Sequence, residues 1–83
     1  MRKRPDWSHP LPQPLSIPGI MDLVTLADVR ELLRHLPEEY RARETWRYVT
    51  MKLNVAARGA PVIDVVVPLR MVLSMEGITC RPR

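Results

Sequence analysis

Val62-Ile63-Asp64-Val65-Val66-Val67-Pro68-Leu69-Arg70 can be read two ways, and the choice sets the fold class. Valine and isoleucine favour strands. Pro68 cannot donate to a β ladder, however, so a strand here is confined to a sheet edge. As a helix, the segment has Asp64 to cap its start and Gly77 to end it. Pro68 then falls in the first turns, where its missing N–H begins to cost something. The helical reading, over about residues 65–76 with an irregular first turn, is adopted. On a helical wheel only Arg70, Ser74 and Glu76 interrupt the apolar circumference, the pattern of a deeply buried element.

Working upstream, Trp46, Val49, Leu53, Ala56 and Ala57 fall within roughly 100° of arc on a second helix over 44–58. Gly59 and Pro61 end it. Tyr48, Met51 and Val55 form another apolar stripe on its far side, so this helix is expected to be covered on both sides. A first helix over 26–36 starts at a capping box, Thr25-Leu26-Ala27-Asp28. It carries Leu26, Val29, Leu32, Leu33 and Leu36 on one face, with Arg30, Glu31, Arg34 and His35 on the other. Pro37 stops it and can open a further turn, with Glu38 and Glu39 at the positive end.

Residues 1–21 hold five of the nine prolines. Pro10-Leu11-Pro12-Gln13-Pro14 is expected to run as polyproline II, and Pro18-Gly19 reads as a turn. Trp7, Leu11, Leu15, Ile17 and Ile20 give this arm more apolar surface than a solvated linker carries, so part of it should dock. Residues 81–83 read as a frayed tail. The fold expected is mainly α: a small three-helix bundle over 22–80, wrapped by an N-terminal proline-rich extended arm.

Taken together, Trp7 to Pro18, Thr25-Leu26-Ala27-Asp28-Val29-Arg30 and Glu44-Thr45-Trp46 resemble short bacterial proteins of no assigned function. The resemblance includes no catalytic or ligand motif and implies no activity.

Eighty-three residues suffice for one domain with a thin margin of stability. Cys80 is the single cysteine, which excludes an internal disulfide and points to the cytoplasm. No apolar run approaches the roughly 20 residues a membrane helix needs. Met1-Arg2-Lys3-Arg4 resembles the opening of a secretory signal, but Asp6 and the prolines break any hydrophobic segment after it. A membrane partner is not expected.

Catalytic signals are weak. His35 lies on a polar helix face and His9 beside Pro10, with no zinc-type spacing to Cys80. Glu38 and Glu39 are adjacent and point about 100° apart on a helix, which suits a helix start better than an acid–base pair. Arg81 beside Cys80 raises the question of a reactive thiol; a half-buried inert one is the plainer reading. Three glycines form no phosphate loop. A non-enzymatic protein without cofactor or metal is expected.

The leading functional expectation is a protein–protein interaction module, binding either itself or another subunit. Its candidate interface is Trp7, Tyr48, Met51, Val55, Leu69, Met71, Leu73 and Met75, apolar surface in excess of what so short a chain can bury. The alternative partner is nucleic acid, bound without sequence specificity. The net charge is +4, and Arg43, Arg47, Asn54 and Arg58 fall within roughly 60° on the second helix. Arg2, Lys3 and Arg4 would supply a basic arm. A helix-turn-helix reader is disfavoured, because the third helix offers base edges little beyond Arg70 and Ser74.

Overall fold

The computed structural model describes residues 4–82. In chain order it contains strands β1 (Pro10–Ile17) and β2 (Met21–Thr25), helices α1 (Leu26–His35), α2 (Glu38–Arg41), α3 (Glu44–Ala57) and α4 (Ile63–Met75), and a short strand β3 (Arg81–Pro82). The sheet is antiparallel with order β2-β1-β3. Among the described residues the fold is therefore mixed α/β, with four helices and a three-stranded sheet, which corrects the expectation of an all-α three-helix bundle.

The correction originates in the proline-rich arm. Polyproline II and β backbones occupy neighbouring φ/ψ values, so proline content alone does not separate them. Leu15 and Ile17 are both buried, the two-residue period of a strand, and Leu11 is buried beyond the irregular stretch in which Gln13 is exposed. Pro18 and Gly19 take the central positions of a tight turn, with Gly19 at φ 77° and the Ile20 N–H donating to the Ile17 carbonyl at 3.0 Å. Pro followed by a left-handed Gly is the type II arrangement. It sends the chain back as β2, pairing Leu15 with Leu23 and Ile17 with Met21. The register breaks between Pro10 and Leu15, and β3 pairs only with Leu15 and Ser16. Pro10, Pro12 and Pro14 thus lie where the ladder asks for few donors, which is how a proline-rich segment can be a strand at all. Residues 81–82, read from sequence as frayed, form the third strand against that same half of β1.

Upstream of β1 the chain is pinned rather than free. The Asp6 N–H donates to the Ala57 carbonyl at 2.7 Å, at the end of α3, and the Ala27 N–H donates to the Trp7 carbonyl at 2.9 Å. The helix-or-strand segment resolves as helix. Its entry is irregular: Asp64 and Val65 donate three residues back, to Pro61 and Val62, and Pro68 lies inside the helix. At the start of α1, Asp28 Oδ2 accepts from the N–H groups of Val24 (2.8 Å) and Thr25 (3.1 Å), fixing the β2-to-α1 corner.

The core lies between the sheet and helices α1, α3 and α4. Leu15 and Leu23 from the sheet meet Leu26, Val29, Trp46, Val49, Leu53, Val65, Leu69 and Leu73, all essentially inaccessible to solvent. The indole N–H of Trp46 meets no protein acceptor among the described residues.

Candidate interaction grooves

The arrangement of α3 and α4 creates the most distinctive surface. A short connection makes them antiparallel neighbours, and Arg43 at the start of α3 grips Glu76 just past the end of α4. Their inner faces feed the core. On α4 the residues one turn apart at 63, 67, 71 and 75 point outward: Ile63, Val67, Met71 and Met75 are 48%, 52%, 60% and 71% exposed. The expectation of a deeply buried element holds for one face only, because the sheet and α3 cover the side carrying Val65, Val66, Leu69, Val72 and Leu73. On α3 the stripe of Tyr48, Met51 and Val55 is likewise about half exposed. Between the two helices runs an open groove walled by Tyr48, Met51, Val67, Pro68, Met71 and Met75, with the charged side chains of Glu44 and Arg47 also lining it.

The expected interface residues therefore divide. Tyr48, Met51, Met71 and Met75 come together in this groove, whereas Val55, also half exposed, lines the opposite side of α3. Leu69 and Leu73 do not belong there; they are core residues with no exposure. Trp7 is partly buried on the other side of α3, its ring covered by the Arg30 guanidinium at 4.2 Å. Val67, Pro68 and Ile63 were missed from sequence. The signal was the strict four-residue spacing 63-67-71-75, masked because the rest of the helix is apolar as well.

A second open groove separates α1 from α3. Trp7, Arg30, Arg34, Arg41, Arg47, Asn54 and the intervening apolar side chains line it. Arg47 and Met51 belong to both grooves, so the outer ridge of α3 divides one from the other. Of the residues expected to contact nucleic acid, Arg47 and Asn54 line this groove. Arg43 is committed to Glu76 by bonds of 2.6 and 2.8 Å and stacks on Tyr40 at 4.6 Å. That carboxylate holds the Arg43 guanidinium in its charged form even more firmly than usual. Arg58 is exposed at the C-terminal end of α3, outside the groove. Arg4 is exposed, and Arg2 and Lys3 lie outside the described residues. The expectation of a basic three-helix bundle is corrected as well: the fold is mixed α/β, and beside their arginines the helices expose large apolar side chains.

The titratable side chains singled out from sequence are dispersed. His35 bonds Glu31 across one turn at 3.1 Å, with both side chains largely exposed. His9 lies 3.5 Å from Asp6, whose carboxyl is held below its ordinary range by the Ser8 hydroxyl and then by the Ser8 N–H. Burial pushes the Cys80 thiol up, against the smaller opposing pull of Arg70. Arg81, the neighbour in sequence, is not the cation that acts on it. Among the described residues no three His, Cys, Asp or Glu side chains gather as a metal site, and no helix is long and apolar enough to cross a membrane.

No protein-family model, curated protein or solved structure matches this chain.

Proposed function

We propose that this protein is a non-enzymatic binding module whose α3/α4 groove receives the apolar side of a helix from a partner protein. One observation carries the reading: two apolar stripes, on adjacent antiparallel helices, are left about half exposed along a common groove. A trough between two helices offers the geometry into which the ridge of a third helix packs. Three of its walls are methionines, whose unbranched, polarisable side chains adapt to an incoming apolar surface. Soluble monomers rarely leave so many large apolar side chains together without a use.

Replacing Met71 and Met75 with aspartate tests this directly. Both side chains are exposed, so the fold and its melting transition should persist while binding of a leucine-faced helical peptide is lost. Unchanged binding in the double variant would remove the groove from consideration. Sedimentation at micromolar concentration separates the competing occupant, a second copy of this chain. The expected result is a monomer, and a dimer dispersed by the same two substitutions would assign the groove to self-association.

A further inference from the structure

We infer that the helix seated in the α3/α4 groove is acidic along one edge, with its carboxylates directed at the arginines of the α1/α3 groove. This inference rests on the α3/α4 groove being a helix-binding site, and it specifies the chemistry of the partner.

Arg30, Arg34, Arg41 and Arg47 line one groove, and no acidic side chain lines it with them. Arg34 reaches Glu31 only at 3.6 Å, with both side chains well exposed, a weak arrangement in water. Arg30 lies over the Trp7 ring, which orients the guanidinium and leaves its charge intact. Arg41 and Arg47 pair with no carboxylate among the described residues. Elsewhere the chain uses the complementary chemistry on itself: Arg43 takes Glu76 through two short bonds. There a single nitrogen, Arg43 Nη1, donates to both oxygens, and the guanidinium fork suits carboxylates in general.

Position supplies the second half. Arg47 and Met51 border both grooves, so an occupant of the apolar trough lies against the ridge beyond which the arginines begin. An amphipathic helix in the trough, its edge of glutamates or aspartates turned toward Arg47 and away from Glu44, meets the apolar walls and the arginine ridge together. A nucleic-acid backbone satisfies only the arginines and leaves Tyr48, Met71 and Met75 against a polar, charged ligand. Arginines at such a rim steer encounter and select partners by sign of charge more than they add raw affinity. The chain's own net charge of +4 works in the same direction.

The test uses three fluorescein-labelled peptides of roughly 18 residues, about five helical turns, sharing one leucine face and carrying Glu, Gln or Lys along its flank. Anisotropy titrations at low ionic strength should give the Glu peptide about tenfold or more tighter binding than the Lys peptide, with the gap narrowing as salt is raised. Reversing two arginines together, Arg41→Glu and Arg47→Glu, should invert the order of the Glu and Lys peptides, and Met71→Asp should weaken all three. Equal binding of the Glu and Lys peptides would overturn the acidic-partner inference and leave the groove standing. Failure of all three to bind would bring down the groove reading itself. A single-stranded or duplex oligonucleotide bound more tightly than the Glu peptide, and released by the same arginine reversal, would assign those arginines to phosphate instead.

Discussion

Arg43 and Glu76 stand 33 residues apart in sequence, yet the guanidinium meets both carboxylate oxygens, at 2.6 and 2.8 Å. The Glu76 side chain is only 15% exposed, whereas that of Arg43 is 51% exposed. The contact closes the open end of the α3/α4 hairpin opposite its connecting loop. It sits beside the apolar groove and sets how far the two helix ends can part.

Removing either partner should loosen that end. Glu76→Gln and Arg43→Gln are each expected to lower the melting temperature by a few degrees, and the double variant should lose little beyond the worse single one. Such non-additivity marks a direct pair. Full additivity in thermal denaturation would show that the two residues act separately.

The β1 strand is part of the core and not a tail. Leu15→Ala removes a fully buried side chain facing Leu23 and the helices, and should cost about 3 kcal/mol. For a domain whose whole stability is on the order of 5 kcal/mol, this approaches unfolding at ambient temperature. Urea denaturation followed by circular dichroism reads the loss. A change of only a few tenths of a kcal/mol would mean the strand is not packed as described.

Gly19 tests the hairpin separately from the core. Its φ of 77° lies in the left-handed region, and a Cβ there would meet nothing within 4 Å. Only backbone strain is therefore at stake. Gly19→Ala should destabilise by about 1 kcal/mol, and Gly19→Asn by less, since Asn tolerates that conformation better. Comparable losses from both, measured by urea denaturation, would argue for crowding in place of strain.

Cys80 should behave as a sheltered thiol. Because burial raises its pKa, the folded chain holds less thiolate than an unstructured cysteine at the same pH. Alkylation by iodoacetamide near pH 8 should be slow and should accelerate in urea. The folded state keeps the thiol proton at a pH where the unfolded state has begun to release it. The contribution to stability is present below the ordinary thiol range and falls away as pH rises through it. Alkylation as fast folded as unfolded would contradict the sheltered position.

Trp46 offers a check on the packing. Its ring is 1% exposed and its N–H has no protein acceptor among the described residues. Trp46→Phe keeps most of the apolar contact and removes a donor that is costly to bury unpaired, so it should change stability by no more than about 1 kcal/mol. Trp46→Ala should cost about 3–5 kcal/mol. If phenylalanine proved as damaging as alanine in chemical denaturation, the indole N–H would have to hold a bond that stabilises the core.

Sequence alone fixed the features that depend on near neighbours. The three-to-four-residue recurrence of Leu26, Val29, Leu32 and Leu33, the pairing of Thr25 with Asp28, and the stops at Pro37 and Gly59 are local, and each concerns atoms within one or two turns. The Tyr48, Met51 and Val55 stripe was legible for the same reason. Tertiary structure decided everything that requires two distant segments to meet. Proline-rich 10–17 is a strand because β2 and Arg81–Pro82 lie against it, and an extended backbone has no internal bonds that could announce this. Likewise, whether Leu69 or Met71 faces water depends on which side of α4 the sheet and α3 cover, and Arg30, Arg34, Arg41 and Arg47 share a groove only because α1 and α2 both pack on α3. Periodicity names the apolar face of a helix; a helix apolar all round leaves that choice to its neighbours.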